Sequence, residues 1–203
     1  MKKLISTMLL TILCLFFSAS AGENFNWKGC EYSIDLSGSI PVNNKISFRG
    51  DLTYFKTPLA SVDQTFIYLG FDYALYSDSV HSFAVGPRLG TVSGWFEGDG
   101  FLTSIWTNYN SSKTYNVFVE FDVYHYAGNR DYYGLYLADY SLPVGNNTFL
   151  FGLGMENVNE NVWLGPRTGA RFGEHFILEG RYWYFLPEEI KGHSFRTVAI
   201  LIF

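Results

Sequence analysis

Charge is scarce in this chain. Asp, Glu, Lys and Arg make up 16% of its 203 residues, against roughly 25% in an ordinary soluble domain. Long apolar runs are scarcer still: one stretch alone could form an apolar helix of consequence, and it lies at the extreme N-terminus, so a bundle of membrane helices is excluded. Cysteine is limited to Cys14 and Cys30, and basic residues fall short of acidic ones, giving a net charge of −5 and a pI near 5.3. That balance argues against a nucleic-acid partner. Aromatics, by contrast, are abundant. The chain has 19 Phe, 15 Tyr and 5 Trp, far too many for one that buries no surface, so intrinsic disorder is excluded.

The first residues read as an address label. Lys2 and Lys3 form a positive start, Leu4 to Phe17 is an apolar run interrupted by Ser6, Thr7 and Thr11, and Ala19-Ser20-Ala21 before Gly22 has the small-residue form of a cleavage site. The expectation is a secretory signal peptide over residues 1–21 followed by one domain over 22–203. Cys14 would leave with the leader, and Cys30 alone cannot form an internal disulfide. With Lys2 and Lys3 gone, 12 basic residues face 19 acidic ones, a net charge of −7.

Beyond the leader, alternation of period two recurs almost everywhere, the signature of half-buried strands. Ile67, Leu69, Phe71, Tyr73 and Leu75 alternate with Tyr68, Gly70, Asp72 and Ala74. Val117, Val119, Phe121 and Val123 oppose Asn116, Phe118, Glu120 and Asp122, and Phe149 to Met155 oppose Leu150 to Glu156 in the same way. Turn signals such as Pro41-Val42-Asn43-Asn44, Ser77-Asp78-Ser79, Gly98-Asp99-Gly100 and Gly128-Asn129-Arg130-Asp131 punctuate these runs at hairpin spacing. No helix of useful length emerges.

Alternation does not say which face is wet. A lipocalin-like barrel turns its apolar face inward, whereas a membrane barrel turns it toward lipid. Three features favour the second. Lys28, Lys45, Lys56, Lys113 and Lys191 fall at strand ends or turns. The mid-strand charges Arg49, Asp51, Asp72, Arg88, Glu120, Asp122, Arg167, Arg171, Glu179, Arg181 and Arg196 are of mixed sign and share one face, as in an ion-paired lumen. Tyr and Trp gather near strand ends, among them Trp27, Tyr54, Tyr76, Tyr109, Tyr126 and Tyr140, as aromatic girdles do.

The last nine residues then carry a resemblance. Phe203 is a terminal aromatic, with Leu201, Ala199 and Phe195 on alternate positions before it and Thr197 a weak member. This resembles the C-terminal assembly signal of bacterial outer-membrane β-barrels, a class rather than one family. It implies an all-β, closed, antiparallel up-and-down transmembrane barrel. It further implies recognition by the barrel-assembly machinery, outer-membrane location, and surroundings of outer-membrane lipid and lipopolysaccharide. Strand-like segments begin near residues 27, 45, 64, 80, 100, 114, 132, 147, 161, 175 and 193. Bacterial single-chain barrels have an even number of strands, so the expectation is ten, with twelve or eight as alternatives. The segment at 27–40 is then the surplus one, a plug or lead-in. Working back from a periplasmic Phe203 puts the connections near 187–192, 157–161, 128–131, 95–100 and 57–63 outside. So narrow a ring, with Tyr68, Phe118, Trp163 and Trp183 pointing inward, leaves little room for a wide pore.

Signals for chemistry are few. Gly86-Pro87-Arg88-Leu89-Gly90 recurs as Gly165-Pro166-Arg167-Thr168-Gly169. Two readings stand: a pair of guanidinium groups converging on an anion, or two arginines paired with Asp72, Glu120, Asp122 or Glu179. His193-Ser194 is an adjacent His–Ser pair, and neighbours on a strand point to opposite faces. No catalytic residues, metal site or cofactor site are assigned. The leading expectation is a non-enzymatic structural or surface-interaction barrel. A narrow, porin-like channel and a lipid-modifying enzyme are the alternatives, and oligomeric state stays open.

Overall fold

The computed structural model describes residues 27–56, 63–95, 98–112, 114–186 and 192–203. The expected leader over 1–21, Phe96 and Glu97, and the connection at 187–191 lie outside them. Within them the alternation becomes eleven strands: β1 (Trp27–Pro41), β2 (Ile46–Lys56), β3 (Gln64–Ser77), β4 (His81–Trp95), β5 (Gly98–Ser111), β6 (Tyr115–Tyr126), β7 (Asn129–Val144), β8 (Asn147–Val158), β9 (Asn161–Phe172), β10 (Phe176–Phe185) and β11 (Gly192–Ile202). They form one closed barrel, each strand beside its sequence neighbours and β1 beside β11.

Two expectations are corrected here. The strand number is eleven, not ten, and the barrel is mixed, not wholly antiparallel. The segment 27–40 is neither plug nor lead-in but β1, a full wall strand. The two corrections share a cause. Successive strands of a meander alternate in direction, so in an odd ring the first and last run the same way and must meet in parallel. The β1–β11 pairing is parallel from Gly29↔Ser194 to Ser37↔Ile202. Beyond it the Phe203 N–H donates to Ser37 O at 2.8 Å. All other pairings are antiparallel.

The strands are strongly tilted. The register runs from Leu36 in the lower half of β1 through Leu52, Ile67, Thr91, Phe101 and His125 to Arg130, at the upper rim. Barrels of this size require a tilt of about 35–45°. One rim, here called upper, carries the starts of β1, β3, β5 and β11, the ends of β2, β4 and β10, and the turns at 127–128 and 159–160. The lower rim carries the remaining turns and Phe203.

The alternating residues sort cleanly. Outward lie Ile34, Phe48, Leu69, Phe71, Leu89, Ile105, Phe121, Leu153, Leu178 and Leu201, with Phe71 50% and Leu153 65% exposed. Paired rings mark both ends of this outer face. Tyr115–Tyr140, His81–Tyr109 and Phe172–Phe176 lie toward the lower rim, and Tyr32–Tyr54, Phe101–His125 and Tyr184–His193 toward the upper.

The two Gly-Pro-Arg copies hold equivalent places, mid-strand in β4 and β9. Each coincides with a gap in a neighbouring ladder, between Gly70↔Arg88 and Tyr73↔Val85 in one and between Arg181↔Arg167 and Tyr184↔Leu164 in the other. Proline offers no N–H to a ladder. Phe71 faces Pro87, and its carbonyl instead accepts Arg88 Nη1 at 2.8 Å. The glycine before each proline permits close approach, since a Cβ on Gly165 would lie 1.7 Å from Tyr182 O.

Two outcomes follow. Gly165→Ala must push β9 from β10 and should lower the urea midpoint by an amount equivalent to about 1–3 kcal/mol. Gly38→Ala, whose nearest atom would be 3.9 Å away, should be neutral or stabilising; equal losses in the two variants would refute the close-approach account. At the β3–β4 turn, Asp78 accepts N–H bonds from Val80 at 2.7 Å and His81 at 2.6 Å. With the Tyr76 hydroxyl as the largest cause, its carboxyl is held down from 3.8 to about 2. A depressed folded-state value means that this turn's contribution is present above pH 3.8 and lost as pH falls toward 2. An NMR titration should therefore find Asp78 near 2; a value near 3.8 would remove the effect.

Candidate functional site: the charged lumen

The inward face of the barrel holds the charge. Mid-strand acids and arginines on β1 to β4 and β6 to β11 converge because each shares the parity of the small or polar residues beside it, and three clusters result.

In the first, Arg88 is buried and ion-paired with Asp72, with its Nε 3.8 Å from Asp51 Oδ2. Arg49 donates from Nε to Asp51 at 3.2 Å and from Nη2 to Ser37 Oγ at 2.6 Å. The Ser37 hydroxyl donates to Asp51 at 2.5 Å. The Arg88 guanidinium also lies 4.9 Å from the Trp106 ring centroid, a cation–π contact strengthened by burial. In the second, Arg167 donates to Asp139 at 2.7 Å and pairs with Glu179, and Arg181 Nε donates to Glu179 at 2.7 Å.

The third cluster spans the lumen and the seam together. Arg196 on β11 donates to Glu31 on β1 at 2.7 Å and pairs at 2.9 Å with Glu156 on β8. The Phe55 ring centroid is 4.5 Å from its guanidinium carbon. A buried arginine so placed satisfies two carboxylates and a π face at once.

Glu120 and Asp122 are held differently. Hydroxyl groups take the place of arginine: Tyr68 donates to Asp122 at 2.9 Å and to Glu120 at 3.4 Å, Tyr124 donates to Asp122 at 3.3 Å, and Ser104 adds a further bond to Asp122. So Arg88 and Arg167 do not converge on one ligand. Each has its own acids, of which Asp72 and Glu179 are legible in the sequence and Asp51 and Asp139 complete the sets. Arg171 is the correction: it lies exposed at the lower end of β9, outside these ion pairs.

Sequence reasoning missed Glu31, Asp139 and Glu156 as members. Glu31 lies in the strand taken for a lead-in. Asp139 follows Leu135 and Leu137, apolar residues that point inward and hide the polarity of their face. Glu156 alternates with the outward Met155, a signal that was present but carried no arginine nearby in sequence.

The lumen differs along its axis. Its upper half is filled by Phe66, Tyr68, Val92, Leu102, Tyr124 and Tyr126 on one side and by Leu135, Leu137 and Trp183 on the other, with Tyr133 packed against both groups. Its lower half is wetter. The Arg49 and Asp72 side chains are 33% and 27% exposed, and Asn108 is exposed. The interior is thus a cup, packed above and open below.

The histidines stand outside this interior. His125 stacks on Phe101 at 4.4 Å, His81 on Tyr109 at 5.9 Å, and His193 bonds the Tyr182 hydroxyl. Ser194 is fully buried inside the wall while His193 points out. Among the described residues no group of three or more His, Cys, Asp or Glu is arranged to hold a metal ion. Comparison with family models, with curated proteins and with solved structures finds no match to this chain.

Arg196 supplies the test of this architecture. Arg196→Met leaves Glu31 and Glu156 buried without their cation and should cost about 3–5 kcal/mol, read as a lower unfolding midpoint. Neutralising the acids as well (Arg196→Met with Glu31→Gln and Glu156→Gln) should restore most of it. Arg171→Gln should stay within about 0.5 kcal/mol of the parent; a silent Arg196→Met would refute the seam role.

Proposed function

We propose that this chain is an outer-membrane β-barrel with a structural or surface-presenting role, its lumen a packed core and not a conduit. The observation that carries the reading is the inversion of the two faces. Phe71, Phe121, Leu178 and Leu201 point outward while Arg88, Arg167, Glu179, Arg181 and Arg196 are buried within. In water such a belt would expose a large contiguous apolar surface, far beyond what a monomeric soluble protein carries. In hydrocarbon the same belt costs nothing, and a closed ring leaves no open strand edge, the condition a bilayer imposes. Strands of 10 to 16 residues reach or exceed the roughly 9–11 that a tilted strand needs to cross. The aromatic pairs at both ends of the outer face match interfacial girdles. The cleavable leader and the terminal assembly signal expected from the sequence agree with this destination.

A structural role is favoured over transport because the upper lumen is filled. A solute would have to displace Trp183, Tyr124, Leu102 and Phe66, all nearly or fully buried. The paired arginines likewise leave no row of free charge to guide ions.

Unboiled protein in detergent should migrate differently from boiled protein on a gel, and should float with liposomes after reconstitution. Identical migration, or recovery of detergent-free protein in the soluble fraction, would overturn the membrane reading. Reconstituted protein should give no stepwise conductance in a planar bilayer; discrete openings would overturn the sealed lumen and favour the channel.

A further inference from the structure

A cross-strand row at the upper rim stands apart from the lumen. Phe101 on β5 faces His125 on β6, and His125 faces Arg130 on β7. All three share the outward parity of their strands. The Phe101 and His125 rings stack with centroids 4.4 Å apart and planes inclined by 7°. The tight turn that follows, through Ala127 (φ 45°) and Gly128 (φ 82°), has the left-handed pair of a type I′ hairpin. It folds Arg130 back beside the stacked rings. Together these residues line an open groove of about 420 Å³.

Arg130 is the unusual member. It is exposed and, among the described residues, no carboxylate pairs with it, a trait it shares with Arg171 at the opposite rim, whereas Arg49, Arg88, Arg167, Arg181 and Arg196 each have an acid. The one acid of the groove, Asp99, accepts the Gly94 N–H at 3.0 Å and so has part of its oxygen capacity already taken by the β4–β5 turn. A permanently charged fork thus stands at the rim of the outer face, beside an imidazole and above an apolar stacked floor.

We propose that this groove binds the headgroup of an anionic phospholipid, Arg130 holding the phosphate with help from His125, and the Phe101–His125 stack lying against the apolar part just below. The chemistry fits in order of depth. The guanidinium matches phosphate oxygens bidentately, and the aromatic floor faces the direction in which acyl chains descend. This inference rests on the membrane reading above.

The test uses the delipidated full-length protein in detergent, with native mass spectrometry as the readout and phosphatidylglycerol or phosphatidylcholine as the probe lipid. The parent should retain phosphatidylglycerol about fivefold better than phosphatidylcholine, the factor one cation near a membrane surface contributes. Arg130→Gln should abolish that preference. Arg171→Gln, which removes the same charge at the opposite rim, should keep it. Equal retention of the two lipids, or an unchanged preference in Arg130→Gln, would overturn the proposal. Inorganic phosphate bound as well as the lipid would also overturn it, since the site would then be one for free anions. Liposome flotation of both arginine variants separates the two levels. Protein that floats but shows no Arg130 effect refutes the groove alone, whereas protein that does not float refutes the membrane reading on which the groove depends.

Discussion

A ring with an odd number of strands cannot close by antiparallel pairing alone, and the rest of this barrel depends on how β1 and β11 solve that. Parallel pairing is slightly weaker per residue than antiparallel, so the seam is held by its backbone somewhat less strongly than an antiparallel join of the same length. The chain reinforces it from inside. Arg196 and Glu31 face each other across the seam at 2.7 Å, and Glu156 reaches the same guanidinium from β8. The seam also continues past the last ladder pair, through the backbone bond from Phe203 to Ser37.

From that closure follows the division of labour between the two faces. Once no strand edge remains, the outer face is free to carry apolar side chains such as Phe71, Leu89 and Leu153. The charges gather inside, where a buried arginine is tolerable only with its acids beside it. Distribution within the lumen is then decided by size. Bulky rings crowd the upper half, where Arg196 packs against Phe55 and Trp183, and in the lower half the Arg49 and Asp72 side chains are partly exposed. The cup is the result of filling a narrow cylinder with side chains of unequal length.

The Gly-Pro-Arg copies show one way in which such a wall accommodates a defect. Pro87 withholds a donor from the ladder, and Arg88, the next residue, bonds the Phe71 carbonyl that faces the proline. Its remaining nitrogens serve Asp72 and Asp51. A side chain present for lumen neutrality therefore also satisfies the backbone.

Period-two alternation was enough to read an all-β barrel from the sequence, with strand starts close to those observed, because side-chain direction in a strand is fixed by the pleat. The mixed signs of the mid-strand charges were enough to gather Arg88, Arg167, Glu179 and Arg196 on one face. Alternation carries no information about how a ring closes, so the odd strand number and the parallel seam were hidden, and Glu31 with them. Nor could it show which acid meets which arginine. Asp139 and Glu156 come to Arg167 and Arg196 from other strands, brought there by register and tilt. The faces were written in local chemistry; the partners were decided by closure of the ring.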